Sequence, residues 1–367
     1  MSIYSISLKN YKSIRELKDF KFNKLNILIG ANGSGKSNLI SFFRLLHNLV
    51  NQNLQPYVLK SGRANSFLHF GQKVSSFLSG KIEFVNNKDF LANCYEFSLL
   101  PTQEGSLFIQ TEDSKYNKGT NQNPSWDSWL FNSGSLESKL FESNLYRNHY
   151  LSIFFKNLQL FHFHDTSSTA FVKAYCNIND NEYLKQDASN LASFLFRLKI
   201  DFPNHFNMIE RTIQSVAPFF SRFDLRPAQE NKSEINLAWT EKGSNDYFDA
   251  HYLSDGTLRF MCLTTLLLQP EPPETIIIDE PELGLHPFAI EKLAAMIHSA
   301  SSRTQIIVST QSINLVDQFV PEDVIVVERG DNQTIFSRLK SDDLSHWLED
   351  YSLGQLWDKN VLGGRPR

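Results

Sequence analysis

Hydrophobic positions at the two ends of the chain follow the pattern of an α/β protein. Leu25–Ile29 is an almost continuous apolar run, typical of a buried strand, and residues 38–50 carry apolar side chains at helical spacing. The last third alternates β-branched runs with helical segments: strands are predicted at 275–278, 305–309 and 324–328, and helices at 258–268 and 288–299. Such alternation implies a largely parallel sheet that helices cover on both faces.

The middle of the chain has a different pattern. Residues 81–84 and 94–99 alternate as antiparallel strands do, and residues 116–135 are rich in Ser, Asn and Gly, which predicts an exposed loop. Helical periodicity covers 145–160 and 188–198, the second preceded by the capping candidates Asp187 and Ser189. No heptad pattern or internal repeat is found. We therefore predict an α/β domain from 1–50 and 251–340, an inserted α+β lid or arm at 51–250, and a helical tail at 341–367.

Composition and charge exclude several classes of protein. The 367 residues include 36 Lys+Arg and 40 Asp+Glu, a net charge of −4, and 41% are hydrophobic. This balance disfavours a disordered tail and a strongly basic nucleic-acid clamp. The three cysteines are widely separated, which argues against a zinc ribbon or a disulfide framework and fits a reducing compartment. No window approaches 18 uninterrupted apolar residues, so we expect no membrane span and a cytoplasmic location.

The strongest motif is a phosphate-binding loop. Residues 30–37 read GANGSGKS, which matches GxxxxGK[ST], and they lie between a predicted strand and a predicted helix. Backbone N–H groups of such a loop and the N-terminus of its helix attract phosphate. Lys36 would reach the β- and γ-phosphates, and the Ser37 hydroxyl would ligate Mg²⁺. The residues predicted to bind nucleotide here are Gly30, Asn32, Gly33, Ser34, Gly35, Lys36, Ser37 and Asn38.

A second motif lies at the end of a later strand. Residues 275–280 read TIIIDE, so two acidic residues follow a β-branched run. An acid at the carboxyl end of a buried strand is where open α/β sheets bind their ligands. We predict that Asp279 holds Mg²⁺ and that Glu280 acts as the general base for a water molecule.

A third motif gives the family resemblance. Residues 253–257 read LSDGT at a predicted helix start, a further anion-binding position. The order GxxxxGKS, LSDGT, IIIDE and EPELGLHP resembles that of ABC-class ATPases, and the wording GANGSGKSN and IIIDEPELGLHP resembles RecF/SMC-related, OLD-like or AAA-type ATPases without a coiled coil. The resemblance implies a P-loop NTPase of the ABC type that uses ATP and Mg²⁺.

The resemblance also assigns residues to roles. Ser254, Asp255 and Gly256 correspond to the signature that binds the nucleotide held by the other subunit, which implies a head-to-tail homodimer. Residues 282–286 correspond to the D-loop at the dimer seam, and Lys12 and Ser13 to the turn that contacts the base. Gln311 replaces the family's switch histidine, which implies slow hydrolysis or use of ATP chiefly as a clamp. His69 and Gln72 are both candidates for the Q-loop residue.

Other polar residues are interpreted as structural. His162 and His164 alternate as metal ligands on a strand would, but no second cluster completes a site, so packing is favoured. His286 is expected to shape the D-loop, and Trp347 and Trp357 to pack or to dock a partner. The terminal residues 363–367 are expected to form a frayed tail.

The biological role remains open between two main hypotheses. The resemblance implies action on DNA, in repair, DNA-end processing or defence against foreign DNA. The alternative is a regulatory or sensor ATPase that controls a separately encoded effector such as a nuclease. A transporter subunit is disfavoured because more than half of the chain separates Ser37 from Ser254 and no membrane segment is expected.

Overall fold

The computed structural model describes residues 1–86, 90–142, 146–244 and 246–364. The strands are β1 (Ser2–Tyr11), β2 (Ile14–Lys21), β3 (Leu25–Ile29), β4 (Leu78–Val85), β5 (Leu91–Pro101), β6 (Leu107–Asn117), β7 (Trp126–Ser135), β8 (Leu158–Phe161), β9 (Cys176–Asn177), β10 (Phe220–Phe223), β11 (Glu234–Ile235), β12 (Ala238–Glu241), β13 (Tyr247–Asp249), β14 (Thr275–Asp279), β15 (Gln305–Ser309), β16 (Val324–Gly330) and β17 (Gln333–Arg338). The helices are α1 (Lys36–Val50), α2 (Leu54–Lys60), α3 (Tyr146–Lys156), α4 (Leu191–Asp201), α5 (Pro203–Val216), α6 (Asp255–Leu268), α7 (Pro287–Ser301), α8 (Ile313–Val316), α9 (Ser341–Leu348) and α10 (Leu353–Asp358).

A six-stranded mixed sheet organises both ends of the chain. Its strand order is β17-β16-β3-β15-β14-β8. The five strands from β16 to β8 are mutually parallel, and β17 alone runs antiparallel as the return of a hairpin. The predicted α/β fold with a largely parallel sheet and flanking helices is confirmed.

Both faces of this sheet are buried, and successive residues of one strand enter different cores. In β3, Ile27 and Ile29 belong to one hydrophobic cluster, whereas Leu28 belongs to the other. The same alternation places Ile276 and Ile277 on opposite faces. Because side chains alternate along a strand, continuous apolar runs are needed where both faces are covered. Helices α4 to α8 contribute to the first core, and α1 to α3 to the second.

A second, antiparallel sheet has the order β2-β1-β4-β5-β6-β7. It begins with the N-terminal hairpin and continues with four strands from the middle of the chain, while β8 joins the parallel sheet. The segment 51–250 is therefore bound to the N-terminal part through two sheets, rather than packed as a separate unit. The division of the chain at residues 50 and 250 remains a prediction.

Three local predictions are wrong in the structure. Residues 126–135, expected within an exposed loop, form strand β7, because β6 pairs along this polar edge strand. The helix expected at 145–160 ends at Lys156, and Leu158–Phe161 is a strand, since a short apolar run fits either element; residue 145 lies outside the described residues. The helix expected from 188 begins at Leu191, because Ala188 has a positive φ of 57°.

The remaining elements are small. Strands β10, β12 and β13 form a three-stranded sheet, and β9 pairs with β11. The expected C-terminal helices are α9 and α10, and the described chain then continues to residue 364. Across the described residues, every helix is too short or too polar to span a bilayer.

Candidate functional site

The GANGSGKS segment forms the turn between β3 and α1. Lys36 and Ser37 are the first two residues of α1, so their N–H groups lie at a helix N-terminus. Asn32 and Gly33 are exposed at the tip of the loop. Gly30 has a φ of 155°, and a Cβ atom there would lie 2.2 Å from the Val327 carbonyl oxygen. Only glycine therefore allows the loop to leave the sheet so close to β16.

Lys36 is buried in this loop, with 4% of its surface exposed. Its Nζ donates hydrogen bonds to the carbonyl oxygens of Gly30 and Ala31, the latter at 3.1 Å. Burial lowers the pKa of the Lys36 ammonium, and the nearby carboxylates of Glu280 and Asp279 partly oppose that shift. No carboxylate of the described residues lies within ion-pair distance of Nζ. The ammonium group is thus available to an anion at the loop.

The acidic pair lies two strands from the P-loop, at the same edge of the sheet. Asp279 is the last residue of β14 and pairs in register with Ser309 of β15. The Glu280 N–H donates to the Ser309 carbonyl at 2.8 Å, and Glu280 adopts a positive φ of 45°. The Gln311 amide donates to the Glu280 carboxylate. Parallel register thus brings Lys36, Asp279, Glu280 and Gln311 to one edge.

Glu282 supports the segment that carries Gln311. Its Oε1 accepts hydrogen bonds from the Thr310 hydroxyl at 2.6 Å and from the Gln311 N–H at 3.0 Å. Its side chain is 8% exposed, and burial raises the pKa of its carboxyl group. Sequence reasoning placed Glu282 only at the start of the D-loop. In the structure, Glu282 links the D-loop to Gln311, which occupies the position of the switch histidine.

The turn between β1 and β2 joins the P-loop through a chain of hydroxyl groups. The Ser13 hydroxyl lies 2.6 Å from that of Thr334, which donates to the Ser34 carbonyl at 2.9 Å. The Asn38 amide donates to the Ser13 hydroxyl at 2.6 Å. Among the predicted nucleotide residues, Asn38 therefore contacts Ser13 directly, and Thr334 links Ser13 to Ser34.

An open cavity of about 520 Å³ lies beside this turn. Its lining includes Lys12, Ser13, His69, Gln72 and Arg329. His69 is buried and its Nδ1 lies 2.7 Å from the Lys12 carbonyl, whereas Gln72 is exposed. Both candidates for the Q-loop residue thus line one cavity, and the choice between them remains a prediction. Its volume is within the range of small-molecule sites.

The LSDGT segment begins α6. The Ser254 hydroxyl caps this helix by accepting the Thr257 N–H at 3.2 Å, while Asp255 lies exposed in the first turn. A Cβ atom on Gly256 would lie 2.3 Å from the Gly284 carbonyl oxygen. The glycine of the signature is therefore also required for close packing against the D-loop.

Arg259 connects the signature helix to two other segments. It is 8% exposed, and its guanidinium donates to the carbonyl oxygens of Phe163, His164 and Leu283. Two of these carbonyls follow β8, and the third belongs to the D-loop. Burial lowers the pKa of the guanidinium. One buried side chain therefore holds three backbone segments beside the signature.

The signature and the P-loop lie at separate positions along the sheet edge. The signature packs against the D-loop that follows β14, whereas the P-loop follows β3. Strand β15 lies between these two strands. Two potential phosphate-binding turns are thus carried by one chain at different places.

The weaker candidates differ in their surroundings. Phe163, between His162 and His164, is buried in the core, and the described residues contain no group of three or more His, Cys, Asp or Glu side chains able to hold a metal. The ring of His286 accepts the Phe288 N–H at the start of α7. Trp357 is buried, whereas Trp347 is 45% exposed.

Three residues of this region were missed by the sequence reasoning: Arg259, Arg329 and Thr334. Thr334 reaches the P-loop only because the β16–β17 hairpin folds over it. Arg259 lies in a largely apolar helix, and a charged residue within such an apolar run was the available signal. The position of Arg329 depends on strand pairing and has no local signal.

Replacement of Arg259 tests its role in holding the signature. Arg259→Met leaves three carbonyl groups without their donor, so we expect a loss of about 3 kcal/mol in the free energy of unfolding. Chemical denaturation measures this loss. The control is Arg226→Met, since Arg226 is 67% exposed and pairs with Asp224, and we expect a change below about 0.5 kcal/mol. Equal effects of the two replacements would contradict the assignment.

Comparison with solved structures finds similar folds in SMC head domains. An SMC head bound to the C-terminal winged-helix domain of ScpA has a TM-score of 0.62 at 18% identity, covering 94% of this chain and all of that one. The Pyrococcus furiosus SMC head, with an extended coiled coil and bound to the C-terminal domain of ScpA, has a TM-score of 0.53 at 18% identity, covering 95% and 98%. The Pyrococcus yayanosii SMC head, with a coiled coil and joint, has a TM-score of 0.52 at 14% identity, covering 95% and 99%.

Family models give a match over most of the chain. Residues 25–317 match the model described as "AAA domain, putative AbiEii toxin, Type IV TA system". A comparison with curated proteins finds no match. The matched span contains the P-loop, the signature and the acidic pair, and the fold is that of the SMC heads. The chain therefore belongs to this AAA domain family, and its fold is similar to that of SMC head domains.

Proposed function

We propose that this chain binds ATP with Mg²⁺ and hydrolyses it at the edge formed by β3, β15 and β14. One observation carries the proposal. Lys36 is buried and has no ion-pair partner among the described residues, and it lies at the same edge of the sheet as Asp279 and Glu280. Gln311 contacts Glu280 at that edge. A P-loop lysine and strand-end acids are the parts that phosphoryl transfer requires. Family membership supports the same class of activity.

Each residue would have a defined task. N–H groups at the start of α1 and the Lys36 ammonium would bind the β- and γ-phosphates. The Ser37 hydroxyl and the Asp279 carboxylate would hold Mg²⁺, which neutralises phosphate charge when it is bound. Glu280 would accept a proton from the attacking water. Lys12 and Ser13 would contact the base and sugar in the adjacent cavity.

Gln311 would orient both the general base and the γ-phosphate. Its amide donates to Glu280, and it can donate to a phosphate oxygen but cannot become cationic. A neutral residue gives less stabilisation to developing negative charge than a protonated histidine. We therefore infer slow hydrolysis, with ATP acting largely as a clamp.

A homodimer would complete the site. Ser254, Asp255 and Gly256 lie beyond β15 from the P-loop of their own chain. A head-to-tail pair would place this signature against the nucleotide of the partner, so that ATP becomes part of the interface. Loss of the γ-phosphate would then release the two chains.

Two biological roles follow from different features. Action on DNA in repair, DNA-end processing or defence would fit the RecF/SMC relationship, although a net charge of −4 requires any DNA site to be a local basic patch. Control of a separate effector would fit the exposed Trp347 and the ScpA partners named for two SMC heads. The family description names a putative AbiEii toxin of a type IV TA system, and we infer from it that a role in defence is compatible with either hypothesis.

Replacement of Lys36 tests the enzyme proposal. Lys36→Ala removes the only cationic side chain assigned to the phosphates, so we expect ATP hydrolysis to fall by more than about a hundredfold. Phosphate release in the presence of Mg²⁺ measures the rate. Lys24→Ala is the control, since Lys24 is exposed before β3, and it should retain the wild-type rate. Hydrolysis by Lys36→Ala at that rate would refute the site.

Replacement of Glu280 tests the dimer. Glu280→Gln keeps the shape but removes the base, so ATP should persist and hold two chains together. Light scattering should give twice the monomer mass with ATP and Mg²⁺, and the monomer mass with ADP. The control Glu291→Gln, at an exposed position on α7, should form no lasting dimer. A strictly monomeric Glu280→Gln protein with ATP would contradict the proposed geometry.

The effect of DNA on the ATPase rate distinguishes the two roles. If the chain acts on DNA, we expect DNA to raise the ATPase rate of the wild type, and this effect to disappear in Lys36→Ala and to weaken as salt rises. A rate that is insensitive to DNA, together with a co-purifying protein that changes it, would favour control of an effector.

A further inference from the structure

The C-terminal residues were expected to form a frayed tail, but the described part of that tail lies against the P-loop. After α10 the chain turns through Asn360, Gly363 and Gly364, which have φ angles of 58°, 79° and 78°. The Val361 N–H donates to the Leu356 carbonyl at 2.9 Å. These left-handed turns direct the backbone of Gly364 towards the start of the loop.

Two hydrogen bonds hold this turn, one from the P-loop and one to strand β16. The Ala31 N–H of the P-loop donates to the Gly364 carbonyl. The Gly364 N–H donates to the Glu328 carboxylate on β16 at 2.7 Å. Gly364 is itself buried. The tail thus fills the space between β16 and the loop and satisfies a backbone group of the loop.

Both glycines are required by this contact. A Cβ atom on Gly363 would lie 2.4 Å from Glu328 Oε1, and one on Gly364 would lie 3.1 Å from Val326 Cγ1 and 3.3 Å from Gly30 Cα. A side chain at Gly363 would clash with Glu328, and both φ angles favour glycine. The segment is therefore fitted to the loop, not merely adjacent to it.

The turn is anchored to the element that follows Gln311. Leu356 and Trp357 of α10 are buried. The Gly354 N–H of α10 donates to the Asp317 carboxylate at the end of α8, at 2.6 Å. Helix α8 begins two residues after Gln311. The tail therefore contacts two parts of the site: α10 contacts the segment that follows Gln311, and Gly364 contacts the start of the P-loop at Ala31.

We propose that the Gly363–Gly364 turn is a positioning element of the nucleotide site. It holds the Gly30 and Ala31 backbone in the form that receives phosphate, and the Glu328 carboxylate holds the turn. Without this support the loop must be ordered by the nucleotide itself, which lowers the apparent affinity. The inference rests on the proposed ATP binding.

The test is the Kd for a fluorescent ATP analogue with Mg²⁺, measured on full-length protein and on a chain that ends at Leu362. We expect truncation to raise Kd by about tenfold, the effect of losing one or two hydrogen bonds. The maximal rate kcat should change by less than about twofold, since the base and metal ligands are retained. Thermal unfolding should show that the truncated chain remains folded.

Matched variants separate positioning from other effects. Gly363→Ala should raise Kd as truncation does, whereas Gly243→Ala should not, because Gly243 has a φ of 84° but no atom near its Cβ position. Glu328→Ala should also raise Kd, and Glu328→Gln, which keeps an acceptor for the Gly364 N–H, should restore the wild-type value.

Several results would overturn the inference. An unchanged Kd after truncation would do so, and so would equal weakening of binding by Glu328→Gln and Glu328→Ala. Replacement of Arg365 and Arg367 together by Ala could reproduce the full loss, in which case charge and not the turn would be responsible. If the wild type and Lys36→Ala bind the analogue equally poorly, the proposed ATP binding itself fails. If Lys36→Ala weakens binding but the truncated chain binds the analogue as tightly as the wild type, only the positioning role is refuted.

Discussion

Parallel pairing of β3, β15 and β14 is the constraint on which the rest of the site depends. These neighbouring strands end at one edge, where β3 leads into the P-loop, β15 leads to Gln311, and β14 ends in Asp279. In-register hydrogen bonding fixes the height of each strand end to within one residue. A slip by one residue would turn buried side chains to the wrong face, so the two cores enforce the register. The relative positions of the charged groups therefore follow from apolar packing.

The polar groups at this edge are held by hydrogen bonds, and no ion pair between described residues involves them. Lys36 is bound by carbonyl groups, Gln311 by Glu282 and Glu280, and the signature helix by Arg259. Buried polar groups are costly to desolvate, and removing one hydrogen-bond partner lowers the free energy of unfolding. The arrangement keeps the lysine free of a carboxylate partner while two acids remain near. That is the electrostatic condition for binding an anion together with a divalent cation.

Contiguous motifs made much of the edge predictable from the sequence. The P-loop, the acidic pair and the signature are each spelled by neighbouring residues, and the strands that carry them are continuous apolar runs. What sequence reasoning missed depends on contacts between distant segments. Thr334 meets Ser34 through a hairpin, Arg259 binds carbonyls far from it in sequence, and Gly364 reaches Ala31 through a chain of turns. Strand β7 was missed because its partner, not its own polar sequence, makes it a strand.

In a head-to-tail dimer neither chain alone holds a complete site, and a mixing experiment tests this most directly. Lys36→Ala removes the P-loop function, and Ser254→Glu places a negative charge at the signature while remaining compatible with a helix N-terminus. Each protein alone should be inactive. Mixed in equal amounts, they should recover roughly a quarter of the wild-type ATPase rate, since half of the dimers are mixed and each of those holds one intact site. A mixture that remains inactive, or Ser254→Glu protein that hydrolyses ATP normally by itself, would contradict a site shared between two chains.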